Sequence, residues 1–318
     1  MAPTRSLDQT RAYTRAHART GLACAIGAYL VWGTLPLYFR LMHAVSPAEI
    51  VACRTLFSLP VCLVLAAALG QLREVGAVLA SPRRLAPLFA SAGFIATNWM
   101  IYVLAVAQGH VLATSLGYYI NPLVNVVIGT LFLGERLAPR QWAAVSLAAV
   151  AVALLAWGAR DMLWISLTLA FSFALYGLVR KLAPVAALPG LTIETLVLTP
   201  IALGWLAWGD HGPHGLVFGQ AWGESLLLAA AGVITAVPLF LFAEAARRLD
   251  LSTLGFVQYL TPTLVFITGI ALFHEPLRPL QLGCFGLIWL AIALYTWDLV
   301  ARRRAAGRDA GTQVSSTG

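Results

Sequence analysis

Arg54 and Glu194 are charged residues set deep inside long apolar stretches, and each precedes a proline, Pro60 and Pro200, by six residues. An arginine at the centre of a membrane helix costs roughly 2.5–3.5 kcal/mol on insertion scales, which argues for a role. It could attract an anionic or carboxylate-bearing solute, pair with a buried acid, or snorkel to an interface. Glu194 could exchange a proton, since burial favours the neutral carboxyl, or be fixed in an ion pair with Arg180 or Lys181. Thr114, Tyr118, Asn121 and Asn125 follow an i, i+4, i+7, i+11 spacing and so share one helical face. That stripe should avoid lipid, serving either as interhelical hydrogen-bonding glue or as a cavity wall that offers amides and a phenol to a solute. Asn98, Trp99, Tyr176, Gln258 and Tyr259 are further candidates for the wall. Pro122 and Pro262 each delete a main-chain hydrogen bond in mid-helix, so they are candidate hinges. The four cysteines, Cys24, Cys53, Cys62 and Cys284, lie in apolar stretches without CxxC spacing, and no metal or cofactor is expected.

The elements that must position these groups follow from composition. Of 318 residues, 60% are apolar and only 11% charged, with a mean hydropathy of +0.81. Soluble domains carry about 25% charged residues, so a soluble enzyme is excluded. The net charge of +8 does not point to nucleic acid, because the basic residues sit between apolar runs rather than in patches with exposed aromatics. Crossing a hydrocarbon core of ~30 Å takes about 20 helical residues. Ten such stretches occur, at 21–40, 48–69, 85–107, 111–133, 140–158, 163–182, 190–208, 222–246, 251–273 and 279–298. Period-2 alternation is missing, which leaves helices rather than a β-barrel. The expected fold is therefore an all-α polytopic membrane protein. Residues 1–20 read as a basic cytoplasmic arm rather than a cleaved leader, and residues 299–318 as a basic tail.

Placing both termini in the cytoplasm puts 17 of the 21 basic residues inside; Arg40, Arg160 and Arg278 fall outside and Arg54 within a span. This bias fits an even number of spans. The chain also matches itself at an offset of 140. Tyr119, Pro122, Gly129, Glu135, Leu137, Pro139 and Gln141 meet Tyr259, Pro262, Gly269, Glu275, Leu277, Pro279 and Gln281, within 12 identities over the 45 positions from 113 to 157. At the same offset Arg54 meets Glu194, and Gln258 and Thr261 match Tyr118 and Asn121. Trp32 and Gly33 meet Tyr176 and Gly177 after a small gap. Two units of five spans, 21–158 and 163–298, must enter the membrane from opposite sides. Such inverted repeats are the architecture of secondary carriers.

The segments AYLVWGTLPLYFRLM (28–42), ATSLGYYINPLVNVVIGTLFLGERL (113–137), AFSFALYGLVRK (170–181), IETL (193–196) and LSTLGFVQYLTPTL (251–264) resemble EamA units of the drug/metabolite transporter superfamily, most closely the RarD group. The resemblance spans about residues 21–300, with His274 departing from the more usual Gly before Glu275. It implies ten helices, a bacterial inner-membrane location and export or exchange of small solutes by alternating access; it carries over no substrate. The expected partners are a small-molecule solute and membrane lipid, without nucleic acid, and a homodimer is compatible with this reading. An intramembrane transferase is the competing enzyme class, but HxxxxD and DDxxD are absent. No GxxxxGK[ST] loop occurs to drive a pump. A passive channel or scaffold is the third class.

Overall fold

The computed structural model describes residues 7–42, 45–107, 111–157, 163–209, 215–264, 267, 282–284, 286–298 and 301. Among them, the regular elements are helices: α1 (Leu7–Arg40), α2 (Pro47–Ala68), α3 (Leu72–Leu79), α4 (Pro82–Ala107), α5 (Val111–Phe132), α6 (Pro139–Trp157), α7 (Leu163–Leu182), α8 (Ala187–Trp208), α9 (Trp222–Arg248) and α10 (Leu251–Gln258). Six of these contain spans long and apolar enough to cross a membrane: Pro47–Ala68, Pro82–Tyr102, Pro139–Trp157, Leu163–Leu182, Ala187–Trp208 and Trp222–Arg248. Leu116–Phe132 and Leu282–Asp298 are shorter apolar helices.

Local chemistry sets several boundaries. Ser46 caps α2 by accepting from the Glu49 amide, and Pro47 supplies the first helical residue. Pro82 and Pro139 likewise open α4 and α6. Gly134 ends the α5 region in a left-handed conformation, φ 65°, which lets the Glu135 amide turn back to the Gly129 carbonyl at 3.0 Å. Tryptophans near helix ends, Trp157, Trp208 and Trp222, are 71–87% exposed, as expected for rings at a lipid–water boundary. Val64, Met100 and Ile201 are also exposed along the helix sides, forming the apolar surface that lipid would cover.

The described part of the basic arm is helical, since α1 runs unbroken from Leu7 to Arg40. Two elements differ from the sequence expectation. The link between α2 and α4 contains the extra helix α3, which buries Val75 and Val78 on one side. The expected ninth span is interrupted: α10 stops at Gln258, Tyr259 forms a turn, and helix resumes at residues 260–264. Pro262 has no amide to give the Gln258 carbonyl, and the Tyr259 amide instead bonds Phe256 three residues back at 3.3 Å. α5, by contrast, continues through Pro122. Glu275 and the rest of 268–281 lie outside the described residues.

Packing pairs the two halves of the chain. α1 and α2 both pack on α9, while α7 and α8 both pack on α4; α5 packs on α7 and α10 on α1; α2 meets α8 and α5 meets α10. Exchanging the halves turns each of these partnerships into another or into itself. Hydrogen bonds repeat the relation. Asn121 on α5 donates to the Ala170 carbonyl of α7 at 2.6 Å, and Thr261, its repeat equivalent, donates to the Tyr29 carbonyl of α1 at 3.1 Å. Tyr259 donates to the carbonyl of its own equivalent, Tyr119, at 3.3 Å. α2 and α9 approach closely at Gly232, where a Cβ would overlap the Phe57 backbone; there Ser58 Oγ donates to the Gly232 carbonyl at 3.1 Å.

Candidate functional site

The sequence-selected residues fall into three groups. The first surrounds Arg54, one and a half to two turns into α2 and so about 10 Å from its start. Its guanidinium lies over the Trp99 ring of α4, 4.1 Å from the centroid, a cation–π geometry. Trp32, Leu35 and Tyr38 of α1 and Ala231, Ile234 and Thr235 of α9 line a small, partly open chamber beside it. Tyr102 and Tyr118 are close enough to interact electrostatically with Arg54, and their rings are 6.2 Å apart. Tyr38 is held by donating its hydroxyl to the Leu227 carbonyl. The Arg54 Nε is shielded from solvent and has no hydrogen-bond acceptor. No carboxylate among the described residues lies within 4.0 Å of Arg54.

The second group is centred on Glu194, which is 2% exposed. Arg180 Nη1 lies 3.4 Å from its Oε1, Ser91 donates to the same oxygen, and the Tyr176 hydroxyl donates to Oε2 at 3.4 Å. Arg180 is itself fully buried and donates through Nη2 to the Ala187 carbonyl at 2.7 Å and the Ala186 carbonyl at 3.4 Å. Of the two partners open from sequence, Arg180 is the one that engages Glu194. Lys181 instead donates to the Ala246 and Leu249 carbonyls at the end of α9. Ser91 was not singled out in the sequence; the available signal was a hydroxyl in an apolar span at the repeat equivalent of Ala231.

The third group is a set of amides bonded between helices. Asn98 of α4 gives both bonds to α7, to the Leu169 carbonyl at 2.9 Å and Ser172 Oγ at 3.0 Å. Asn125 donates to Asn121 Oδ1 at 3.2 Å and to Gln258 Oε1 at 3.4 Å, linking α5 to α10. All four amide side chains are at most 4% exposed. In this conformation Asn98, Asn121, Asn125, Gln258 and Tyr259 bind helix to helix, while Trp99 and Tyr118 lie beside Arg54.

Aromatic rings connect the charged groups. Trp32 of the Arg54 chamber is 5.5 Å from Phe173, Phe173 is 6.0 Å from Tyr176, and Tyr176 stacks on Phe242 at 5.8 Å. Gly177 gives Phe242 its place, a Cβ there lying 3.2 Å from the ring. At the same end of the bundle as Glu194, further charged side chains tie helix ends together. Glu135 accepts from the Leu251 amide at 2.7 Å, the Ser252 amide at 3.0 Å and Ser252 Oγ at 2.7 Å, capping α10 from beyond α5. Arg247 donates to the Val185 and Ala183 carbonyls, and Arg248 binds Glu244 through two nitrogens at 2.5 and 2.8 Å.

Comparison with known proteins agrees with this architecture. The EamA-like transporter family model matches twice, at residues 19–157 and 161–297. An uncharacterised transporter of Pseudomonas aeruginosa is 47% identical over 89% of this chain and 95% of its own length. RarD of Streptomyces exfoliatus is 43% identical over 92% of this chain and 93% of its own length, and RarD of Escherichia coli 40% identical over 91% and 98%. A crystal structure that is 22% identical superposes with a TM-score of 0.69 over 89% of this chain and 98% of that one, and so shares the fold. With two family matches covering nearly all of its apolar length, the chain belongs to the EamA-like transporter family, as a multi-pass membrane protein similar to RarD permeases.

Proposed function

We propose that the protein is a secondary carrier that moves a small organic solute across a bacterial inner membrane by alternating access. Ten spans form two inverted five-helix units, with both termini in the cytoplasm. The exchange relation between the halves carries this reading: α1–α9 against α7–α4, and Asn121–Ala170 against Thr261–Tyr29. Two alike units of opposite orientation have conformations that interconvert by exchanging roles, which lets one central site open to either side. In this orientation the Arg54 chamber belongs to the outer half. The Glu194–Arg180 pair, the rings from Trp32 to Phe242 and the Glu135 cap close the inner half. A closed inner half favours a carrier over a passive channel, because a channel needs one continuous path.

Two experiments test the proposal. Reporter fusions after residue 318 and between α6 and α7 are expected to read cytoplasmic and extracytoplasmic, respectively; an extracytoplasmic carboxyl end removes the inverted topology. A solute screen in proteoliposomes, with and without an imposed pH gradient, reads substrate and proton coupling together. Arg54→Ala and Glu194→Gln are expected to abolish the flux found while the chain still inserts. Unchanged flux in both variants removes the site assignment.

A further inference from the structure

The two charged groups are repeat equivalents that differ in one respect. Around Glu194 stand Tyr176 and Ser91; around Arg54 stand Trp32 and Ala231, which occupy the equivalent positions. At the acid site the countercharge is Arg180, four residues beyond Tyr176. The residue four beyond Trp32 is Pro36, so the chain supplies no countercharge at the equivalent point. Four of the described acids are engaged elsewhere. Glu49, on the same helix as Arg54, accepts from the Phe218 amide at 2.7 Å. Glu194 holds Arg180, Glu244 holds Arg248, and Glu135 caps α10. Arg54 is only partly buried, but its Nε is shielded from water and unfilled, and a shielded donor is costly unless something accepts its hydrogen bond.

From this asymmetry we infer that the Arg54 chamber is half of an ion pair completed by the solute, and that the solute is a small monoanion whose carboxylate meets Arg54 and whose flat apolar body lies among Trp32, Tyr38 and Trp99. The inference rests on the carrier reading and names the substrate class of that same site. Guanidinium and carboxylate match as a planar fork, which favours a carboxylate over a spherical anion. The chamber has a positive charge and no negative one among the described residues. An amine on the solute therefore gains no ionic partner there.

Three probes with the same ring separate these contributions: phenylacetate, phenylalanine and phenethylamine. Their binding to purified full-length protein in detergent is measured by equilibrium dialysis. Phenylacetate is expected to bind at least 10-fold more tightly than phenethylamine, with phenylalanine between them. Arg54→Gln should weaken phenylacetate by about 10- to 100-fold, the usual range for a lost charge-assisted bond, and Arg54→Lys by less. Ala231→Asp places an acid beside Arg54, as Ser91 stands beside Glu194, and should displace phenylacetate in a protein whose melting temperature is kept or raised. Phenethylamine binding as tightly as phenylacetate, or phenylacetate unaffected by Arg54→Gln, overturns the inference. Dialysis requires no translocation, so the two readings fail separately. Binding without flux in proteoliposomes counts against the carrier, whereas flux of another solute without phenylacetate binding counts against the monoanion.

Discussion

Gly190→Ala should break the Glu194–Arg180 pair without touching either charge. Gly190 faces the guanidinium from the first turn of α8: a Cβ there would overlap Arg180 Nη1 and stand 2.7 Å from Cζ and 2.8 Å from Nη2. Arg180 is fully buried and is held by the Ala186 and Ala187 carbonyls, so it cannot yield without leaving Glu194. Separating a buried pair costs about 3–5 kcal/mol. The better helix propensity of alanine returns at most about 1 kcal/mol, leaving a net loss of about 2–4 kcal/mol. In detergent this should appear as a fall on the order of 10 °C in apparent melting temperature. Gly93→Ala in α4 is the control, since a Cβ there meets nothing within 4 Å, and it should be neutral or slightly stabilising. In a Glu194→Gln background the pair is already lost and Gly190→Ala should add little. Wild-type stability for Gly190→Ala, or full additivity with Glu194→Gln, refutes the reasoning.

Other substitutions probe the remaining contacts. Glu135→Gln keeps the size of the α10 cap but removes its charge; faster amide hydrogen exchange at residues 251–254 and a loss of about 1–2 kcal/mol are expected. Asn98→Leu deletes two bonds to α7, so it should lower stability by roughly 0.6–2 kcal/mol while flux per folded molecule stays within about twofold. Loss of flux at unchanged stability would instead put Asn98 in the solute path. Gly232→Val overlaps the Phe57 backbone and should abolish the yield of monodisperse protein, as seen by size-exclusion chromatography. Tyr259→Phe loses one long bond to Tyr119, and a change of no more than about 1 kcal/mol is expected.

Apolar length and the positions of prolines made most helix boundaries legible in the sequence; α6, α7 and α8 start and stop within about three residues of their expected limits. What escaped was what periodicity does not encode. α3 is too short to register as a span, and its buried face is two valines. The break at Tyr259 depends on how the freed Gln258 carbonyl is accommodated, and α5 passes through Pro122 without the same interruption. For the candidate site, the sequence singled out Arg54 and Glu194 by the improbability of their charges in lipid, and named Arg180 among two partners for Glu194. It did not reveal Ser91 or the chamber wall from α9, because neighbours on other helices leave no spacing signal.

Repeat identity and repeat divergence carry different information in this chain. Positions alike in both units include Tyr119 and Tyr259, which are bonded to each other where the halves meet; in the carrier proposed above, symmetric residues there would keep the two conformations similar in energy. Positions that differ decide what each half does. Arg54 and Glu194 have opposite charge at the same point of the repeat, and one is neutralised by Arg180 while the other faces a chamber. A bundle built of two identical units would present the same charge to both sides and bind a solute equally in each conformation. In the proposed carrier, opposite charges would give the two faces different affinities for an anion, and a ligand shifts a two-state equilibrium only through such a difference.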